Sequence, residues 1–171
     1  MKQLNWTLRT FNFNFPAELF PVILARLQGA FARIKFITDD LSKEKLIYRP
    51  EGKWSIQQHI GHLIDLEELH TQRIYDFREG KAMLSAWDGK NEKTELANHN
   101  EKNISILLRE FNNVRNHFVT ELEKFSDPEL IKTSIHPRLQ KPMRVVDMAF
   151  FVAEHDDHHI AKMMELKSSL L

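Results

Sequence analysis

Near the C-terminus three histidines and three acids fall within six consecutive residues, Glu154-His155-Asp156-Asp157-His158-His159. His155 and His159 are four apart, so at about 100° of rotation per helical residue they point the same way, one turn apart. Two imidazoles at this spacing can hold one ion between them, as they do in helical zinc sites. His158 lies about 60° from His155 and about 100° from His159 on the same geometry, towards the edge of that face, and is not expected to be a ligand. The chain has no cysteine, which excludes disulfides, thiolate ligands and a cysteine nucleophile. Any metal must be held by nitrogen and oxygen.

The pair also stands where a helix would place core residues. Val145, Met148, Val152, His155, His159, Met163 and Leu166 form one continuous stripe with the spacing of a buried helix face. Two histidines rarely complete a tight site, so a further ligand is expected from a facing helix. The stretch SIQQHIGHLIDLEELH offers His59, His62 and His70. His59 shares a face with Ile56, Leu63 and Leu66, and His62 with Leu66 and Leu69; periodicity alone does not choose between them. Gly61, beside His62, hints at close approach of the helix to something. His99, His117 and His136 lack such company and are expected at the surface or in loops.

The elements that must position these residues are long helices. From Pro16 to about Asp39, Phe20, Ile23, Leu24, Leu27, Phe31, Ile34 and Ile37 follow one helical face, with Pro16 suited to the first turn. After the break YRPEGKWS, Ser55 can cap a second helix from about Ile56 to Arg78. A third is expected after DGKNEKTE, running to about Lys124 on a stripe that includes Leu96, Leu107, Phe111 and Phe118 and ending at Ser126-Asp127-Pro128. TSIHPRLQKP reads as a loop or short hairpin, and Met143 to about Lys167 as the last helix. Four such helices, each roughly 35–45 Å long, predict an all-α chain folded as a four-helix bundle.

Composition agrees. A chain of 171 residues that is 42% hydrophobic is the size of one domain with a real core, and the whole of residues 1–171 is expected to form it. Lysine plus arginine equal aspartate plus glutamate, 24 against 24, so the basic excess behind non-specific nucleic-acid affinity is missing. MKQLNWTLRTFNF lacks the apolar core of a signal peptide, and the longest apolar runs are too short to span a bilayer; a cytoplasmic protein without nucleic-acid or membrane partners is expected. The five glycines are too scattered for a phosphate loop or a dinucleotide fingerprint, which leaves ATP- and NAD-dependent chemistry without support. Trp54 reads as a packing anchor at a helix start, and Trp87 as a cap on a pocket mouth or a dimer contact.

WSIQQHIGHLIDLEE resembles the DinB-like (DinB/YfiT) family, in which a tryptophan-serine pair opens the second helix and a metal-binding histidine follows eight residues after the tryptophan. Counted from Trp54, that position is His62. HPRLQKPMRVVDMAFFVAEHDDHHIAKMMEL is similar to the last helix of the same family, whose H-x-x-x-H ligands map to His155 and His159. The likeness runs from about FNFNFPAEL to the end and includes EKLIYRPEGKWS. Taken singly these motifs are loose, whereas their order and spacing together are fairly specific. The resemblance implies a four-helix bundle with a divalent ion, nickel or zinc, at a site made by His62, His155 and His159, in a protein that forms a homodimer.

Three neutral imidazoles with coordination positions left for water favour hydrolysis of a small-molecule substrate, and the family is labelled as metal-dependent hydrolases. The same open position would serve a low-molecular-weight thiol in a thiol S-transferase, as in some relatives, and a third reading is a non-catalytic metal-binding or stress-response module. Asp65, Glu154 and Asp156 are the carboxylates nearest the candidate ligands and so the candidate general acids or bases, although such carboxylates more often orient the imidazoles.

Overall fold

Ser55 starts the helix that carries the second group of histidines. Its hydroxyl accepts from the Gln58 N–H, while the Gln58 side chain accepts from the Ser55 N–H, each at 3.1 Å. This reciprocal cap satisfies donors that a helix start otherwise leaves open.

The computed structural model describes residues 3–170. In chain order they form α1 (Phe20–Gln28), α2 (Ala30–Thr38), a short α3 (Lys43–Ile47), α4 (Ile56–Arg78), a short α5 (Glu92–Leu96), α6 (Ile104–Glu123), a short α7 (Asp127–Leu130), the strands β1 (Thr133–His136) and β2 (Lys141–Arg144), and α8 (Val145–Leu170). α4 packs against α6 and α8, and α1 and α2 pack against the same two helices. The four long segments therefore close into a four-helix bundle, as the periodicity predicts. None of the described helices is long and apolar enough to cross a membrane.

Three boundaries differ from the sequence expectation. The first helix is interrupted at Gly29, although backbone bonding continues through it from Gly29 N–H to Ala25 O and from Arg33 N–H to Gly29 O. Both halves keep the expected face, with Phe20, Ile23, Leu27, Ile34 and Ile37 buried. The third helix begins only at Ile104, because Asn91 and Asn98 take left-handed backbone conformations, with φ of 56° and 49°, and break the preceding stretch. Asparagine tolerates that region better than most residues. Leu96, assigned to the helical stripe, is 79% exposed as a result. Met143 lies in β2, paired with Ser134, so the last helix starts at Val145. Pro142 disfavours helical geometry for the residue before it, and Asp147 accepts from the Arg144 N–H at the new helix start.

The apolar core is in two parts. One gathers Ile74 and Phe77 of α4, Phe118 and Leu122 of α6 and Val145–Ala153 side chains of α8; the other gathers Ile56, Ile60 and Leu63, Leu107 and Phe111, and Ile160, Met163 and Leu166. Between them the same three helices contribute a polar layer. Arg115, 1% exposed, donates Nε–H to Glu67 at 2.6 Å and both Nη groups to Asp156. A charge this deep is tolerated only when paired and hydrogen-bonded, and the two acids supply that. His70, bound to Glu67, shares this layer.

Candidate metal centre

His155 and His159 lie on the buried stripe of α8, as their spacing requires, with their Nε2 atoms 3.0 Å apart. His62 projects from α4 to meet them, its ring centroid 5.3 Å from that of His155 and 4.7 Å from that of His159. One ring nitrogen from each of the three lies within 4.8 Å of the other two. Imidazoles that bind one ion at about 2.0–2.1 Å each would bring their nitrogens about this close.

All three rings are neutral at pH 7. Burial pushes the His62 pKa down to about 3, with Asp65 only partly offsetting it. Burial, reinforced by the neighbouring histidines, holds His155 and His159 well below the usual value. A metal-binding imidazole must present a lone pair rather than a proton, and these three do so without competition from protons at neutral pH. The donor set, nitrogen without thiolate, suits a divalent transition metal.

The surrounding hydrogen bonds select the ring tautomers. Thr94 Oγ1 donates to Asp65 Oδ2 at 2.9 Å, so towards His62 Nδ1, 3.2 Å away, it can act only as an acceptor. His62 therefore carries its proton on Nδ1 and presents Nε2. His159 Nδ1 lies 2.9 Å from His59 Nδ1. With the proton of that contact on His159, its Nε2 is likewise free. His59, one of the two candidates that periodicity left open, thus stands behind His159, and His62 is the one that completes the cluster. Groups of this kind, behind the coordinating atoms, fix ligand orientation and raise ligand basicity.

Gly61 has a specific reason to be there. A Cβ at this position would come within 2.2 Å of the His99 ring. His99 packs flat on the glycine and its Nε2 reaches Asp65 Oδ2 at 2.8 Å, which closes the chain from His99 through Asp65 and Thr94 to His62. The expectation of a surface or loop position is thus wrong for the environment of His99 and His136, both 2% exposed, and right for the exposed His117. His99 lies in a single helical turn and His136 in a strand, so neither showed the long apolar periodicity that marks burial.

The three carboxylates singled out from the sequence are all engaged. Asp65 serves Thr94 and His99; Glu154 is bound by Arg9 and Arg26; Asp156 is held by Arg115. Burial raises the Asp156 pKa even beside that arginine, but its position in the polar layer leaves it outside the cavity wall. A different acid–base pair does reach the cavity, through His70, which lines it, while Glu67 lies behind in the polar layer. His70 Nδ1 lies 2.9 Å from Glu67 Oε2, and the His70 ring is 6.1 Å from that of His155. Burial pushes Glu67 up, but Arg115 and His70 outweigh it and keep the carboxylate ionised. Glu67 therefore accepts the Nδ1 proton, and His70 Nε2 is left as the basic atom. The sequence named His70 as a candidate without a role; the Glu67-x-x-His70 spacing, one turn of helix, was the available signal.

The cluster opens into a cavity of about 340 Å³. Trp6, Trp54, Trp87, Leu66 and Leu69 make much of its apolar lining. Trp54 is both helix-start anchor and cavity wall, its ring 4.7 Å from His62 and its Nε1–H donated to Glu95 at 2.7 Å. Trp87 lines the cavity, consistent with the first of its two readings. His158 also lines it, bound by Gln3 rather than joined to the three-histidine cluster.

The fold has a solved counterpart. YfiT from Bacillus subtilis, described as a probable metal-dependent hydrolase with an unusual four-helix bundle topology, is similar to this chain with a TM-score of 0.80 at 18% sequence identity, covering 95% of this chain and 93% of that one. No curated protein matches the sequence. The model of the DinB superfamily matches residues 26–163, which include all three clustered histidines, and the chain belongs to that superfamily.

Proposed function

We propose that His62, His155 and His159 bind one divalent metal ion, nickel or zinc, and that the protein is a metal-dependent hydrolase of small molecules. The observation that carries this reading is the convergence of three buried, neutral imidazoles on the wall of a cavity large enough for a small substrate. Likeness to YfiT, itself described as a probable metal-dependent hydrolase, supports it.

An ion bound by three neutral imidazoles supplies a water of lowered pKa, and so a nucleophile at neutral pH. The chain's own residues do the rest. Thr94 holds His62 in its metal-binding tautomer, and His59 steadies the His159 ring through Nδ1. His70, steadied by Glu67, accepts a proton at Nε2 and returns it to a leaving group. Trp54, Trp87 and Trp6 cover the cavity with apolar surface, which limits bulk water and strengthens charge interactions within it.

The test is turnover of a panel of aryl esters and amides by metal-loaded protein, with and without chelator and with and without an added low-molecular-weight thiol. Hydrolysis that needs the metal but no thiol is the expected result. Turnover only after thiol addition would replace hydrolysis with S-transfer. Absence of turnover in every arm would leave a non-catalytic metal-binding module.

A further inference from the structure

The same cavity holds a second group of polar side chains, and the two atoms in it that are buried without a partner, Arg138 Nη2 and His136 Nε2, are both donors. Arg73 of α4 is 3% exposed and donates Nε–H to Ser85 O at 2.9 Å. Among the described residues it has no carboxylate partner. The nearby acid, Asp76, is already taken by Lys81, Gln72 and the Ser85 N–H. Arg138, from the hairpin turn, donates Nη1–H to Thr7 O at 3.2 Å and lies over the Trp6 and Phe151 rings, while its Nη2 is buried without a partner.

His136 completes the group. Its Nδ1 accepts from the Leu139 N–H at 3.2 Å, so in the neutral ring the proton is on Nε2, which is buried and unpartnered. Burial, with the charges of Arg73 and Arg138, pushes the His136 pKa down to about 3 and keeps the ring in that donor form. Burial brings Arg73 down to about 10, with the charge of Asp76 partly offsetting it and that of Arg138 adding to it, and it is still cationic at neutral pH. All three line the cavity that the histidine cluster shares.

A buried guanidinium without a carboxylate, at Arg73, and two buried donors without an acceptor, Arg138 Nη2 and His136 Nε2, are costly in a low-dielectric wall. An anion would satisfy all three at once, and the planar fork of arginine matches a carboxylate well. Apart from the other histidines, Thr7 and Asn91, the remaining lining is aromatic and aliphatic, which selects what the anion is attached to. We infer that Arg73, Arg138 and His136 form an anion subsite that binds the carboxylate of a substrate with an apolar, aromatic body. The inference rests on the proposed use of this cavity for substrate, but it does not require the metal.

The experiment is calorimetric titration with 3-phenylpropionate and with its neutral amide, on metal-loaded and on chelator-treated protein. The acid is expected to bind saturably in the millimolar range or tighter and at least about 10-fold better than the amide, the usual scale for hydrogen bonds to a charged group. Arg138→Gln, at a half-buried position, should weaken acid binding by about 10-fold and leave amide binding unchanged. Arg73→Gln should do the same, and Arg73→Lys, which keeps the charge, should restore part of the loss. Equal binding of acid and amide, no saturable acid binding, or wild-type affinity in both Gln variants would overturn the subsite. Acid binding that vanishes with chelator but ignores both arginines would place the carboxylate on the metal, overturning the subsite and sparing the metal reading. Arginine-dependent binding by a protein that takes up no metal would uphold the subsite and sink the metal reading.

Discussion

His62 gives its Nδ1 proton to Thr94 because the Thr94 hydroxyl has already given its own to Asp65, across contacts of 3.2 Å and 2.9 Å. A single hydroxyl thus decides which nitrogen of His62 faces the cluster. Thr94→Val removes the acceptor at nearly constant volume and frees His62 to adopt the other tautomer. Metal affinity, measured by competition with a chromophoric chelator, should fall about 10–100-fold, and Thr94→Ser should restore it. Unchanged affinity in the valine variant would show that Thr94 does not govern the site.

Gly61→Ala drives a methyl into the His99 ring, which would lie 2.2 Å from it. Because His99 is 2% exposed and tied to Asp65, the ring has little room to retreat. Overpacking of this kind costs about 1–3 kcal/mol, and displacing His99 also loosens the support of His62. Urea denaturation should register the first effect and chelator competition the second. Wild-type stability together with wild-type affinity would contradict the packing account.

His70→Gln keeps a polar group of similar reach but removes the basic nitrogen that Glu67 orients. Loss of a general acid–base group lowers turnover by about 10²–10⁴-fold, while metal content should stay at the wild-type level because His70 lies outside the three-histidine cluster. Loss of metal along with rate would make His70 part of the metal's support instead.

The buried histidines set an acid limit on stability. His59, His62 and His136 are held down to a pKa of about 3 and His158 to about 4, in each case by burial first. In the unfolded chain they titrate near 6.5, so between that value and the folded pKa the unfolded state binds more protons. Stability is therefore full above about pH 6.5 and drains away as the pH falls towards 3. His59 and His62 should each cost roughly 1–2 kcal/mol between pH 7 and pH 5, and the less fully desolvated His136 and His158 less than that. Denaturant midpoints for the metal-free protein that stay level across this range would contradict the assignment of neutral, buried rings.

The parts that could be read from the sequence were those with long periodicity. The stripe through Met148, Val152, His155, His159 and Met163 predicts both the last helix and the burial of two histidines within it, and Ser55 marks the start of α4 to the residue. His62 could be chosen over His59 only through family resemblance, because the choice depends on how α4 is rotated against α8. The burial of His99 and His136 is illegible in the sequence for a related reason. Each lies in an element too short to show periodicity and is buried by the tertiary fold, one against Gly61 and the other against Phe151. The pairing of Arg115 with Glu67 and Asp156 joins α4, α6 and α8, and no spacing within one helix reveals such a partner.

The central claim is that His62, His155 and His159 bind one metal ion. Elemental mass spectrometry on tag-free protein purified without chelator, for the wild type and His155→Ala, tests it most directly. Near-stoichiometric nickel or zinc in the wild type, lost in the variant while the helical fold is retained by circular dichroism, is the predicted result. Wild-type protein that carries no divalent metal and takes none up on incubation would contradict it.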